Sequence, residues 1–144
     1  MIKLVYKIQI TPRLIRLLVK SVMAVLGEFL EKEVLYDLRL ALTEACNNVY
    51  EHAYNGQAGD MEVRLLLLPG NYVQFDVLDW GKECEPSLYP TIQDVLLPEN
   101  IACSGRGIYI IQQLMDNLKL QRENGVNLLV MQKNIEEEKW KVCK

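Results

Sequence analysis

Histidine is nearly missing from this chain: His52 is the one copy among 144 residues. That scarcity argues against a zinc centre, which draws on several imidazoles or thiolates. The four cysteines, Cys46, Cys84, Cys103 and Cys143, show no CxxC spacing, so a zinc ribbon or dithiol redox motif is excluded and reduced thiols in the cytoplasm are expected. Positive charge is not in excess. Sixteen Lys and Arg against nineteen Asp and Glu leave a formal net charge of -3, which supplies no basic field for a nucleic-acid backbone. The opening MIKLVYKIQI lacks the apolar stretch of a signal peptide, and no run of the chain is long enough for a membrane span. Repeats and low-complexity tracts are also absent.

What remains has the composition of a globular domain, 50% hydrophobic and 24% charged, and is long enough to bury a core unaided. Residues 1–135 read as a single domain, followed by a charged, loosely held tail over 136–144. Ile2 to Ile10 reads as a strand. Thr11-Pro12 supplies a capping hydroxyl and a proline suited to the first helical position. The helix that follows has Ile15, Leu18, Val22, Val25 and Phe29 as its apolar stripe and weakens at Gly27. A second helix is predicted from Val34 to Tyr54, with Leu35, Leu38, Leu42, Ala45 and Val49 facing the core and Asn55-Gly56 as its stop.

Met61, Val63, Leu65 and Leu67 alternate with polar or outward positions, and Pro69-Gly70-Asn71 turns the chain into Val73, Phe75 and Val77. That is a hairpin with one buried face. Pattern is lost from Lys82 to Ser104, apart from a possible short helical turn over Thr91 to Leu97, and a loop of this length tends to be a lid or binding segment. A helix after Gly105-Arg106-Gly107 is marked by Ile108, Ile111, Met115 and Leu118. Two strands, Leu118 to Arg122 and Val126 to Gln132, close the fold around Asn124-Gly125, a strong hairpin signal. Strands grouped into hairpins imply an α/β two-layer sandwich, with a mixed, mostly antiparallel sheet and helices on one face.

Three motifs carry chemistry. Glu44, Asn48 and His52 recur at four-residue steps and project from one side of the second helix, with Glu51 beside them. A carboxylate there can take a proton from a hydroxyl, and an amide oxygen one turn away can bind a hard cation such as Mg2+. A solvated helix face carries the same residue types without function. Asp79-Trp80-Gly81 ends a strand; the carboxylate can accept from an exocyclic amine while the glycine admits a flat base. Asp-x-Gly also marks ordinary turns. Ser104-Gly105-Arg106-Gly107-Ile108 opens a helix whose free N–H groups and dipole suit phosphates, with Arg106 adding a charged fork. Paired glycines occur at plain loop-to-helix junctions too.

Taken together, LTEACNNVYEHAY, DVLDWG and SGRGIYII resemble, in order, the N box and the two glycine boxes of the GHKL ATPases. Within that superfamily the chain is most similar to the anti-sigma factor serine kinases, over about residues 5–133. The resemblance implies the Bergerat ATP-binding fold, with Lys82 to Ser104 as the ATP lid, and a cytoplasmic kinase using ATP and Mg2+. It implies Glu44 as general base and Asn48 as the Mg2+ ligand. Asp79 and Gly81 would meet the adenine, while Gly105, Arg106, Gly107 and Ile108 would line the phosphate path. His52 would support the helix face.

The implied partners are a STAS-domain anti-sigma factor antagonist and a sigma factor, with the chain as a homodimer. Three departures stand out: Ser104 where many relatives have glycine, Ile108 where leucine or methionine is usual, and Asn127 near a position often held by threonine. A non-catalytic switch module of the same family is the alternative reading. Half of a split histidine kinase is disfavoured by the missing second histidine. Met23, Met115 and Met131 read as core filler, and so does Cys46, unless its thiol makes nucleotide binding redox-sensitive. Trp80 is expected to pack.

Overall fold

The computed structural model describes residues 1–83 and 105–141, with the backbone alone for 105–108. Most of the predicted lid, its helical turn over Thr91 to Leu97, Ser104 and three of the four cysteines lie outside the described residues.

Strand β1 (Ile2–Gln9) is followed by helices α1 (Pro12–Leu26) and α2 (Lys32–Asn48). A π-helical turn, Val49–Ala53, extends α2 directly. Strands β2 (Asp60–Leu68) and β3 (Tyr72–Asp79) come next, then α3 (Gly105–Leu114), β4 (Asn117–Glu123) and β5 (Val126–Asn134). The five strands form one sheet in the order β1-β2-β3-β5-β4, and each pairing is antiparallel.

Local signals explain most of these boundaries. The Thr11 hydroxyl accepts from the Leu14 N–H at 3.2 Å, and Pro12 occupies the first turn of α1, so two of the orphan donors of that turn are dealt with. Asn55 and Gly56 both take positive φ, as do Asn124 and Gly125 in the β4–β5 turn. Two successive left-handed residues are what a tight hairpin of the primed type requires.

One apolar layer joins helices to sheet. Met61, Val63, Leu65 and Leu67 of β2, Val73, Phe75 and Val77 of β3, and Leu129 and Met131 of β5 pack with Leu38, Ala41, Leu42 and Ala45 of α2 and with Ile111 of α3. The inward stripe of α1 is Ile15, Leu18, Val19, Val22 and Leu26. It lies slightly rotated from the expected one: Val25 and Phe29 are only half-buried, because the helix ends at Leu26 and the chain turns at Gly27. On α2 the burial of Val34, Ala41 and Cys46 widens the expected stripe, since this helix is flanked by both α1 and α3.

Residues 136–141 depart from expectation. Rather than hanging loose, they dock: Trp140 forms a β-bridge with Leu30, the Lys141 N–H donates to the Phe29 carbonyl at 2.8 Å, and the Glu31 N–H donates to the Lys139 carbonyl at 2.9 Å. The Trp140 indole N–H reaches the Ile135 carbonyl. Counting charge across 136–144 conceals the one residue, Trp140, whose apolar body favours docking.

Candidate functional site

The end of the sheet nearest the π turn carries a cross-strand row, Ile8, Met61, Asp79, Asn127 and Arg122. Along it the sheet changes from apolar to polar. Asp79 and Asn127 are buried, at 5% and 3% exposure. The Asn127 amide donates to Asp79 Oδ1 at 2.8 Å and to the Lys82 carbonyl at 2.9 Å, and its own oxygen accepts from Arg122 at 2.8 Å. The Gly81 N–H also donates to Asp79 Oδ1, at 3.0 Å. Burial pushes the Asp79 carboxyl above its ordinary pKa, while the bonds from Asn127 and Gly81 and the charge of Arg122 pull the other way. Desolvation wins because a carboxylate loses more hydration than two neutral donors restore.

The polar stripe of α2 keeps its helical register only as far as Asn48. Glu44 and Asn48 lie one turn apart in α2, as expected. His52, however, falls in the π turn, so the four-residue step no longer places it directly above Asn48. The wider turn shows in its hydrogen bonds, with the Tyr54 N–H on the Val49 carbonyl and the Gly56 N–H on the Tyr50 carbonyl. It also leaves the Ala53 carbonyl outside the ladder to accept from the Lys82 N–H at 2.9 Å.

That bond joins two of the motifs. Gly81 lies against the π turn so closely that any side chain would strike Ala53. The glycine's bare Cα thus serves contact with the end of α2, a role the Asp-x-Gly spacing alone did not suggest. Tyr54 braces the same junction: its hydroxyl donates to the Asp60 carbonyl at 2.5 Å and accepts from the Trp80 N–H at 3.1 Å. Trp80 itself, just past the end of β3, is 48% exposed, contrary to the expectation that it packs.

Glu44 is half-buried, and burial, then the nearby charge of Glu51, raises its carboxyl above the ordinary range. Asn48 Nδ2 and His52 Nε2 are buried with no hydrogen-bond partner among the described residues. Buried polar atoms are normally satisfied, so orphans beside a half-buried carboxylate suit a ligand. Among the described residues no group of three or more His, Cys, Asp or Glu converges to hold a metal. A protein-only cage is therefore missing there, whereas one amide oxygen plus phosphates and water is a donor set that fits Mg2+.

Helix α3 packs against α2. Gly105, Arg106 and Gly107 form its first turn, the end at which backbone N–H groups are unpaired; the side chains of Arg106 and Ile108 lie outside the description. Glu44 and Asn48 thus sit on α2, and Gly81, two residues beyond Asp79 at the end of β3, lies against the π turn that extends this helix. Sequence reasoning passed over Arg122 and Tyr54 and noted Asn127 only as a departure. The available signal for Arg122 was its place opposite Asn127 across the Asn124-Gly125 turn.

Cys46 is fully buried and its thiol is pushed up to about 12, which keeps it protonated and speaks against redox sensing at this position. No helix among the described residues is long and apolar enough to cross a membrane.

Residues 8–133 match the family described as histidine kinase-like ATPase domain. The chain is 31% identical over 125 residues to the serine-protein kinase RsbW of Bacillus pumilus (strain SAFR-032), covering 80% of this chain and 74% of that one. It is also 31% identical over 103 residues to RsbW of Bacillus thuringiensis (strain Al Hakam), covering 65% of this chain and 61% of the relative. A chain in the crystal structure of the SiaB-SiaC complex from Pseudomonas aeruginosa superposes with a TM-score of 0.66 at 14% identity, over 92% of this chain and 89% of that one, so the two share a fold. The match over most of the length places this chain in the histidine kinase-like ATPase domain family.

Proposed function

We propose that this chain is an ATP-dependent serine protein kinase acting as an anti-sigma regulatory factor, which phosphorylates a STAS-domain antagonist and binds a sigma factor. One observation carries the reading. The helix that bears Glu44 and Asn48 ends in a π turn whose Ala53 carbonyl receives Lys82, just beyond Asp79 and Gly81, and the same helix packs against α3, which opens with Gly105-Arg106-Gly107. That arrangement supports reading Asp79 as a base-binding carboxylate, Asn48 as a cation-binding amide and the start of α3 as a phosphate-binding end.

In this reading Asp79 accepts from the adenine amine. The first turn of α3, with Arg106, Gly105, Gly107 and Ile108, lines the phosphate path, and Asn48 would hold Mg2+. Bound Mg2+ supplies neutralisation of phosphate charge. Glu44 takes the proton from the serine hydroxyl as its oxygen attacks the γ-phosphorus and ADP leaves; its raised pKa makes it a better base than an ordinary carboxylate. His52 supports the helix face.

Two surfaces suit protein partners. Arg13, Arg16, Lys20 and Arg39 line a groove of about 690 Å³ beside Leu17 and Tyr36, both of which are exposed; four cations with exposed apolar side chains fit an acidic amphipathic segment of a partner. The sheet face opposite the helices, with Val5 exposed on β1, is where a homodimer would form in the cytoplasm.

The deciding experiment incubates the chain with radiolabelled ATP, Mg2+ and a STAS-domain antagonist. Phosphoserine on the antagonist, lost in Glu44→Ala, supports the kinase. Tight ATP binding without transfer to the antagonist overturns it in favour of a non-catalytic switch module.

A further inference from the structure

The Asp79 carboxylate is held from one side only. Both donors that reach it, the Asn127 amide at 2.8 Å and the Gly81 N–H at 3.0 Å, converge on Oδ1. No donor among the described residues reaches Oδ2. The donating end of Asn127 is in turn fixed by Arg122, whose guanidinium meets the Asn127 oxygen at 2.8 Å and the Gly81 carbonyl at 3.3 Å. A cation on one end of an amide sets which end faces away, because an N–H end turned toward Arg122 would meet donor with donor. The amide is also tied to the Gly81 and Lys82 carbonyls, so its rotation would break four bonds together.

We infer that Asn127, oriented by Arg122, is a positioning residue for base selectivity: it saturates Oδ1 of Asp79 and leaves Oδ2 as a fixed acceptor that takes the 6-amino group of a purine and rejects a 6-oxo group. This rests on the nucleotide reading given above and adds to it the determinant of base choice. An amine donates to the carboxylate, whereas a 6-oxo oxygen would set acceptor against buried acceptor. If Asn127 were absent, the carboxyl could turn or take up a proton, and a protonated carboxyl donates to the 6-oxo oxygen as readily as a carboxylate accepts from the amine. Asn127 has no spare donor among its bonds to Asp79, Gly81 and Lys82, which makes it a support for the carboxylate rather than a contact of the base.

The test measures equilibrium binding of ATP and of inosine triphosphate, whose base carries the 6-oxo group, to wild type, Asn127→Leu and Arg122→Ala. Wild type should prefer ATP by at least about tenfold. Asn127→Leu should lower that preference by about fivefold or more, and Arg122→Ala, at an exposed position that leaves folding intact, by about twofold to threefold. A wild-type preference retained in both variants overturns the inference, as does an equal loss of affinity for the two nucleotides, which would mark a structural role alone. Should Asn127→Leu not fold, the Arg122→Ala ratio decides. If wild type binds neither nucleotide, the nucleotide reading falls and this inference with it; if wild type discriminates and the variants do too, only the inference falls.

Discussion

A β-carbon built on Gly81 would lie 2.5 Å from the Ala53 carbonyl oxygen and 2.9 Å from its Cβ. Two segments nearly thirty residues apart are therefore pressed together at a point where only hydrogen fits. Gly81→Ala must push the β3 end away from the π turn and strain the Lys82 to Ala53 hydrogen bond, costing about 1–3 kcal/mol as an overpacking substitution. Urea unfolding should register that loss. Gly27→Ala, whose nearest neighbour would lie 3.3 Å away at a helical φ of -62°, should be nearly neutral beside it.

The π turn accounts for much of what the sequence did not disclose. Thr11-Pro12, Asn124-Gly125 and the alternation in β2 and β3 act through local dihedral and capping preferences, which are readable from a few residues. A π turn has no such residue signature, and its cause lies in the distant Lys82 and Gly81 that it meets. Asn127 is similar: nothing near it in sequence announces that it faces Asp79, 48 positions away, because strand pairing decides it. The placement of Glu44 and Asn48 on one face followed from helical spacing, whereas that of His52 did not, since the spacing changes after Asn48.

Glu51→Gln should move the acidic limb of the kinase pH profile. Glu51 raises the Glu44 carboxyl through its charge, adding to the larger effect of burial. In its proposed role as general base Glu44 works deprotonated, so activity should rise with pH as it ionises. Removing the neighbouring charge lowers the pKa of Glu44 and shifts the rising limb to lower pH, with the plateau little changed. Measurement of kcat/KM against pH in both proteins checks this; a limb that stays in place separates Glu44 from the titration.

Cys46 should resist thiol reagents in the folded protein. Its side chain has no exposure and burial pushes its thiol up to about 12, so thiolate is scarce at neutral pH and access is closed. Peptide mapping after brief alkylation should find Cys46 unmodified under native conditions and fully modified in denaturant. Native labelling at a rate matching a free thiol would show that the helix interior opens readily.

Trp140→Ala should destabilise the domain by roughly 1–3 kcal/mol. Trp140 packs against the core and bridges Leu30, and the Lys141 ammonium reaches the Gly27 carbonyl at 2.7 Å, so the segment covers the turn between α1 and α2. Loss of the indole exposes Leu30, which is otherwise wholly buried. A thermal melt of the variant, and of a chain ending at Ile135, should show a lower midpoint in both.

Asp79→Asn should remove one source of pH dependence from folding. The folded protein raises the Asp79 carboxyl above its ordinary value through burial, so the native state holds that proton more tightly than the unfolded chain does. Linkage then has a definite sign: the contribution of Asp79 favours folding below its unfolded pKa, near 3.9, and is lost as pH rises through the higher folded value. Asparagine cannot titrate, so the variant should lack this decline. Unfolding free energies from urea titrations at several pH values between 4 and 7, compared between the two proteins, test it. A steeper fall in wild type supports the buried carboxylate; parallel curves would mean that Asp79 is well hydrated, and would remove the support that burial gives to its proposed role toward the base.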